Sequence, residues 1–150
     1  MPSTMTNLLY HLVFSTKGRE PMITDTLRPG LAAYMGGIIR GDGGVLLAEG
    51  GMPDHIHLLA SCSASVSVAD MLRTIKSKSS KWVNEREHRT TRFAWQTGYG
   101  AFTVSQSQMR TVERYIQNQE EHHRTTSFQD EYRSLLRKHG IEFVERYLWG

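Results

Sequence analysis

The chain has one cysteine, Cys62, so no internal disulfide can staple it. A lone thiol fits a reducing compartment, and the expectation is a cytoplasmic protein. No basic-then-apolar leader opens the sequence, and no apolar run approaches the ~20 residues that span a bilayer. A membrane partner is therefore not expected. Internal repeats, low-complexity tracts and linkers are also missing, which argues against solenoids and multi-domain arrays. Excess charge is modest: +3 with histidines neutral, for a pI of about 9.2. The 150 residues are enough to bury a core without staples. A single domain over residues 1–150 is expected, with 126–150 forming a C-terminal helix and tail packed on it.

The hydrophobic patterning alternates between periods. Leu8 to Ser15 reads as a strand. Leu31, Tyr34, Met35, Ile38 and Ile39 then recur at helical spacing, with Pro29 in the first turn and Gly41 at the exit. Val45 to Glu49 reads as a second strand, broken by Gly50, Gly51 and Pro53. His55 to Cys62 is a third. Ser67 can cap a second helix carrying Val68, Met71, Leu72, Ile75, Trp82 and Val83. Gly98 to Val104 is the last strand. Ser105 with Gln108, and Thr126 with Gln129, read as capping boxes of two further helices. The first of these runs to about His123, and Gly140 ends the second. Ile141, Phe143, Val144, Tyr147, Leu148 and Trp149 make the remaining tail apolar enough to pack. The order β-α-β-β-α-β predicts an α+β, ferredoxin-like antiparallel sheet with helices on one face, plus additional C-terminal helices. That fold hosts many activities and decides none.

Charge is more informative by location. Val68 to Arg92 holds seven Lys/Arg against three Asp/Glu, a local excess larger than that of the whole chain. Such a stripe is what a phosphate backbone requires, and equally what a solvated helix face shows. Arg73, Lys76 and Lys81 are the candidate phosphate contacts within it, with Ser77, Ser79 and Ser80 as possible hydrogen-bonding neighbours.

Two constellations can carry chemistry. His55 and His57 are two apart on a strand, so both imidazoles project from one face, while Ile56, Leu58 and Ala60 project from the other. Adjacent imidazoles can bind a divalent metal if another element supplies a further ligand. Two ordinary histidines on a half-exposed strand would look the same. Tyr115 and Gln119 are four apart on a helix and share one face, at the margin of the stripe made by Met109, Val112 and Ile116. A flanking tyrosine that packs its ring and wets its hydroxyl would sit there too. Together the two make chemical sense. A phenol of pKa about 10 is a weak nucleophile unless charge developing on its target is stabilised. Attack by tyrosine on phosphorus keeps a phosphoester bond, so a broken strand can be rejoined without ATP.

The segments MPDHIHLL, WQTGYGAFTVS and YIQNQEEHHR, in this order, resemble the single-tyrosine HUH transposases of bacterial insertion sequences. HLVFSTKGREPMI near the start and SFQDEYRSLLRKHGIEFVERYLW at the end resemble the branch of REP-associated tyrosine transposases. The resemblance covers nearly the whole chain. It implies a ferredoxin-like domain with the histidine pair, His55 and His57, on a central strand. It makes Tyr115 the nucleophile and Gln119 the residue that completes an Mg²⁺ or Mn²⁺ site. The implied reaction is cleavage and strand transfer of single-stranded DNA through a 5′-phosphotyrosine, at imperfect hairpins, by a homodimer. The tyrosine helix of one subunit completes the other's metal site in some members. The long segment after Tyr115 resembles host-retained members acting on genomic palindromes, which leaves two readings open: an element-mobilising transposase and a host-retained nuclease.

Smaller expectations attach to three more residues. Asp54 can orient a ligating histidine, join the metal or merely form the turn. His122 can approach DNA or close a helix end, and Glu120 is a fallback third ligand. Two rival functions remain: a non-catalytic single-strand-binding module using Tyr10, Phe14, Tyr99 and Phe102, and a metal phosphodiesterase using water. The first lacks the RNP pattern, and the second predicts no covalent adduct.

Overall fold

The computed structural model describes residues 3–150. Its elements are β1 (Leu8–Ser15), α1 (Arg28–Gly41), β2 (Val45–Met52), β3 (His55–Cys62), α2 (Val68–Arg86), β4 (Gly100–Val104), α3 (Met109–Gln117), α4 (Gln119–His122) and α5 (Phe128–Lys138). The four strands form one antiparallel sheet in the order β2-β3-β1-β4. This is the ferredoxin-like α+β arrangement, and it puts β3 and β1 at the centre.

Strand alternation sorts the side chains between two layers. Leu12 and Phe14 of β1 join Ile56, Leu58 and Ala60 of β3 on one face. Leu31, Met35 and Ile39 of α1 and Met71, Leu72, Ile75 and Val83 of α2 complete that core. Burying each such aliphatic contributes about 1.5–3 kcal/mol. The other face carries Val13, Phe102, Leu59 and the histidines, and the additional C-terminal helices cover it. Coverage on both sides explains why every residue from His55 to Ala60 is buried.

Several boundaries differ from the sequence expectation, each for a local reason. Gly50 and Gly51 do not break β2, which stays paired to Met52, with Gly50 opposite His57 and Gly51 opposite Ile56. β4 starts at Gly100, because the Thr97 and Gly98 amides are taken by the carbonyl of Gly150 at 3.0 and 3.4 Å. Ser105 makes no capping bond. Its hydroxyl pairs with Ser107, and a 3₁₀ turn at Gln106–Gln108 precedes α3. The helix expected to reach His123 is interrupted at Asn118 (φ −103°, ψ 27°), where α3 ends. The cap of α5 is Ser127, not Thr126: its side chain accepts from the Asp130 amide at 3.1 Å. Ser67 caps α2 in the same way, as expected.

The C-terminal tail lies on α5 and the sheet. Phe143, Leu148 and Trp149 pack against the cluster of Val13, Phe102, Phe128, Tyr132 and Leu136. The Trp149 ring has the guanidinium groups of Arg19 and Arg133 each 5.3 Å from its centre. Ile141, Val144 and Tyr147, also expected to pack, remain exposed.

Candidate active site

Three elements converge over the centre of the second face. β3 presents His55 and His57, both fully buried. α3 lies across β2 and carries Tyr115. That approach depends on Gly50: a Cβ there would lie 2.0 Å from the carbonyl oxygen of Ile116. The break at Asn118 then redirects the chain, and α4 starts with buried Gln119. α5 crosses above and points Glu131 inward, where it is 2% exposed.

The polar atoms form one network. His55 Nδ1 lies 2.8 Å from Asp54 Oδ1, and its Nε2 lies 3.1 Å from Gln119 Oε1. His57 Nε2 lies 3.0 Å from Glu131 Oε1, and its Nδ1 lies 2.8 Å from Nε2 of His11 on β1. His123, just past α4, sets Nε2 3.0 Å from both Gln119 Oε1 and Glu131 Oε1, while its Nδ1 bonds the Thr126 carbonyl at 2.6 Å. The second oxygen of Glu131 accepts from the Tyr115 hydroxyl and, at 3.0 Å, from Gln119 Nε2. The Phe128 ring stacks on His55, with centroids 4.3 Å apart.

This donor set fits a divalent cation. A carbonyl only accepts, so His123 Nδ1 carries a proton, and a neutral ring would then offer its Nε2 lone pair as a ligand. Asp54 fixes His55 in the same tautomer. Both Nε2 atoms face the oxygens of Gln119 and Glu131, which are themselves acceptors. These acceptor atoms need positive charge among them, supplied by protons on the rings or by a cation between neutral rings. Outer partners that orient each imidazole are a usual feature of metal-binding histidines. Ligand atoms of His55, His57, His123 and Glu131 all lie within 4.8 Å of one another. Close by, the Nε2 of His122 is buried without a hydrogen bond, 3.4 Å from Glu131 Oε2.

Burial and the Glu131 charge set the protonation states. Burial lowers His57 to about 4 against the pull of Glu131, and lowers His11 to about 3 with help from His57. For His55 burial works downward, but the bonds to Asp54 and Glu131 outweigh it and the net shift is upward. Burial would raise Glu131, yet bonds from His123, His55 and His57 hold it well below the usual carboxylate range. Burial, reinforced by the Glu131 charge, pushes the Tyr115 phenol well above its ordinary value. With protein groups alone, the tyrosine therefore keeps its proton.

A cleft of about 770 Å³ opens between β4, α3 and α5 and reaches this network. Tyr115, Glu131, His122 and His11 line its inner end, with Gln108 and Lys138 further out. The residues singled out from sequence are thus brought together in part. His55, His57, Tyr115 and Gln119 share one network within one chain, and Asp54 orients His55. Glu120 is exposed and takes no part. His122 packs its ring near Tyr115, with centroids 5.3 Å apart. Arg73, Lys76 and Lys81 stand on α2, on the opposite side of the sheet. Arg73 pairs with Asp70 at 2.8 Å, Lys81 lies 3.9 Å from Glu85, and both are exposed. The Lys76 ammonium donates to the Gly98 carbonyl at 2.7 Å, and burial lowers it to about 8.

Three participants escaped the sequence reading: Glu131, His123 and His11. Each left a trace. Glu131 interrupts the inward stripe of Phe128, Tyr132, Leu135 and Leu136 with a carboxylate. His123 is one turn past Gln119, and His11 shares a strand face with Leu9 and Val13.

A ferredoxin-like sheet with a paired histidine strand and a facing tyrosine helix defines the class. Within it, the family model described as "Transposase IS200 like" matches residues 4–119. The chain belongs to the IS200-like transposase family. The ISDra2 transposase TnpA of Deinococcus radiodurans is 26% identical over 117 residues, covering 75% of this chain and 84% of that protein. A crystal structure of a transposase from D. radiodurans R1 superposes with a TM-score of 0.62 at 26% identity, covering 79% of this chain and 95% of the other. A REP-associated tyrosine transposase bound to a REP hairpin shares the fold, with a TM-score of 0.58 at 14% identity, covering 77% and 68%.

Proposed function

We propose that this transposase cuts and rejoins single-stranded DNA through a covalent bond to Tyr115. The observation that carries the reading is the juxtaposition, within one chain, of the Tyr115 hydroxyl with the His55–His57 pair at the end of an open cleft. Tyr115 Oη attacks the scissile phosphorus, and the bond to the 3′ oxygen breaks. That oxygen leaves with a proton as a free 3′-OH, and the 5′-phosphate stays on the tyrosine. Attack by a 3′-OH reverses the step and joins strands, with no net loss of phosphoester bonds. An Mg²⁺ or Mn²⁺ ion held by His55, His57 and Gln119 would stabilise charge on the phosphate oxygens. Asp54 and His11 keep the two imidazoles oriented, and α5 with the sheet keeps bulk water from the histidines.

The substrate in this reading is a strand with an imperfect hairpin, in keeping with the hairpin-bound transposase of the same fold. Exposed Arg73 and Lys81, with Lys76 between them, would meet phosphates of the hairpin away from the cut. The functional unit in this reading is a homodimer, with α3 packed across β2 at Gly50. Such a protein works in the bacterial cytoplasm, at the nucleoid.

The test is a denaturing gel of protein incubated with hairpin-bearing oligonucleotides taken from the DNA flanking its gene, with Mg²⁺ or Mn²⁺. A DNA-shifted protein band, lost in Tyr115→Phe, supports the reading. A persisting band in Tyr115→Phe, or cleaved product without any adduct, rejects it.

A further inference from the structure

The family match ends at residue 119, yet two members of the cluster of possible ligands around the His55–His57 pair come after it. We infer that His123 and Glu131, supplied by the C-terminal extension, are ligands of the same metal, making a site of three imidazoles and one carboxylate. The inference rests on the metal-dependent reading above and changes the ligand set that reading assumes. It also changes the metal that suits the site.

Geometry carries it. Glu131 Oε1 is the point on which three imidazole nitrogens converge: His57 Nε2 at 3.0 Å, His123 Nε2 at 3.0 Å and His55 Nε2 at 3.4 Å. Nδ1 of His123 donates to the Thr126 carbonyl and that of His55 faces Asp54. In the neutral form that a metal binds, those rings turn lone pairs, not protons, towards the carboxylate. The carboxylate is 2% exposed, its outer oxygen is taken by Tyr115 and Gln119, and its inner oxygen meets the imidazole nitrogens among which a cation would sit. Gln119 Nε2 donates to Glu131, so one task of the glutamine is to hold this carboxylate in place. The other oxygen of Glu131 receives the Tyr115 proton in a hydrogen bond, so one side chain ties metal site and nucleophile together.

Three imidazoles also bear on metal identity. Mg²⁺ prefers oxygen ligands and retains its waters, whereas imidazole suits first-row transition ions. Mn²⁺ should therefore bind more tightly than Mg²⁺.

Titration of the full chain with Mn²⁺, followed by calorimetry and by loss of the free-ion EPR signal, tests this without DNA. Glu131→Gln keeps the shape and removes the charge. His123→Gln is a second variant that leaves Glu131 in place. Each should weaken Mn²⁺ binding at least tenfold, and Gln119→Ala should weaken it less than Glu131→Gln does. Near-UV circular dichroism checks that each variant keeps its packing. Binding within twofold of wild type in both variants, with loss in His57→Ala, overturns the inference and leaves the histidine-pair reading standing. Mg²⁺ binding as tight as Mn²⁺ binding overturns it as well. A wild-type chain that takes up no Mn²⁺ overturns the inference and the metal-dependent reading together.

Discussion

The two faces of the sheet are built from the same strands and do opposite things. Towards α1 and α2 the strands send Leu12, Phe14, Ile56, Leu58 and Ala60, and the interior is hydrocarbon. Towards α3, α4 and α5 they send His11, His55 and His57 into a network of buried polar atoms. On the first face shape and volume decide stability. On the second, each buried polar group depends on a named partner. Period-two alternation lets one strand serve both, since neighbours in sequence never share a face.

The comparison can be broken at its chemical end first. Tyr115→Phe keeps the ring and should remove all covalent DNA adduct, at a cost of about 1–3 kcal/mol in urea unfolding for the lost bond to the buried Glu131 carboxylate. Leu58→Ala, on the hydrocarbon face, should do the reverse. It should cost about 2–5 kcal/mol in urea unfolding, with Mn²⁺ affinity of the folded fraction unchanged. A Leu58→Ala protein that loses metal affinity while still folded would show that the faces are coupled.

Acid should separate the faces without mutation. His57 and His11 are held neutral, at about 4 and about 3, while in the unfolded chain they titrate near 6.5. The unfolded chain therefore binds more protons as pH falls through 6.5, and stability is lost down towards pH 4. His55, shifted upward, partly offsets this. Metal-free protein should lose roughly 2 kcal/mol between pH 7.5 and 5 in urea titrations. A flat profile would mean these histidines are not buried as described.

Gly50→Ala probes the join between α3 and β2. Its methyl would meet the Ile116 carbonyl, so α3 must shift, costing about 1–3 kcal/mol and reducing adduct yield. The smallest stability effect belongs to Arg73→Ala and Lys81→Ala, both exposed. Each should change stability by less than about 0.5 kcal/mol and reduce the salt dependence of DNA binding by about one phosphate contact.

Much of this is legible in the sequence. The strands and the first two helices follow from apolar period, and the Ser67 cap from its residue type. His55, His57, Tyr115 and Gln119 follow from spacing joined to family resemblance. The other half of the site was harder to see. Glu131 is one carboxylate among fifteen acidic residues, and nothing local distinguishes it. Its role comes from α5 crossing back over β3, a contact between residues 74 apart in sequence. Gly50 and Gly51 read as strand breakers because their reason is another backbone pressed against them. The kink at Asn118 has no proline or glycine to announce it.

The central claim is that Tyr115 forms the covalent bond to DNA, and peptide mapping tests it most directly. Adduct formed with a cleavable oligonucleotide is digested with nuclease and trypsin, then sequenced by mass spectrometry. The account predicts a nucleotide phosphate on Tyr115, in the peptide from Tyr115 to Arg124. The mass on a peptide carrying Tyr10, Tyr99 or Tyr132 would contradict it.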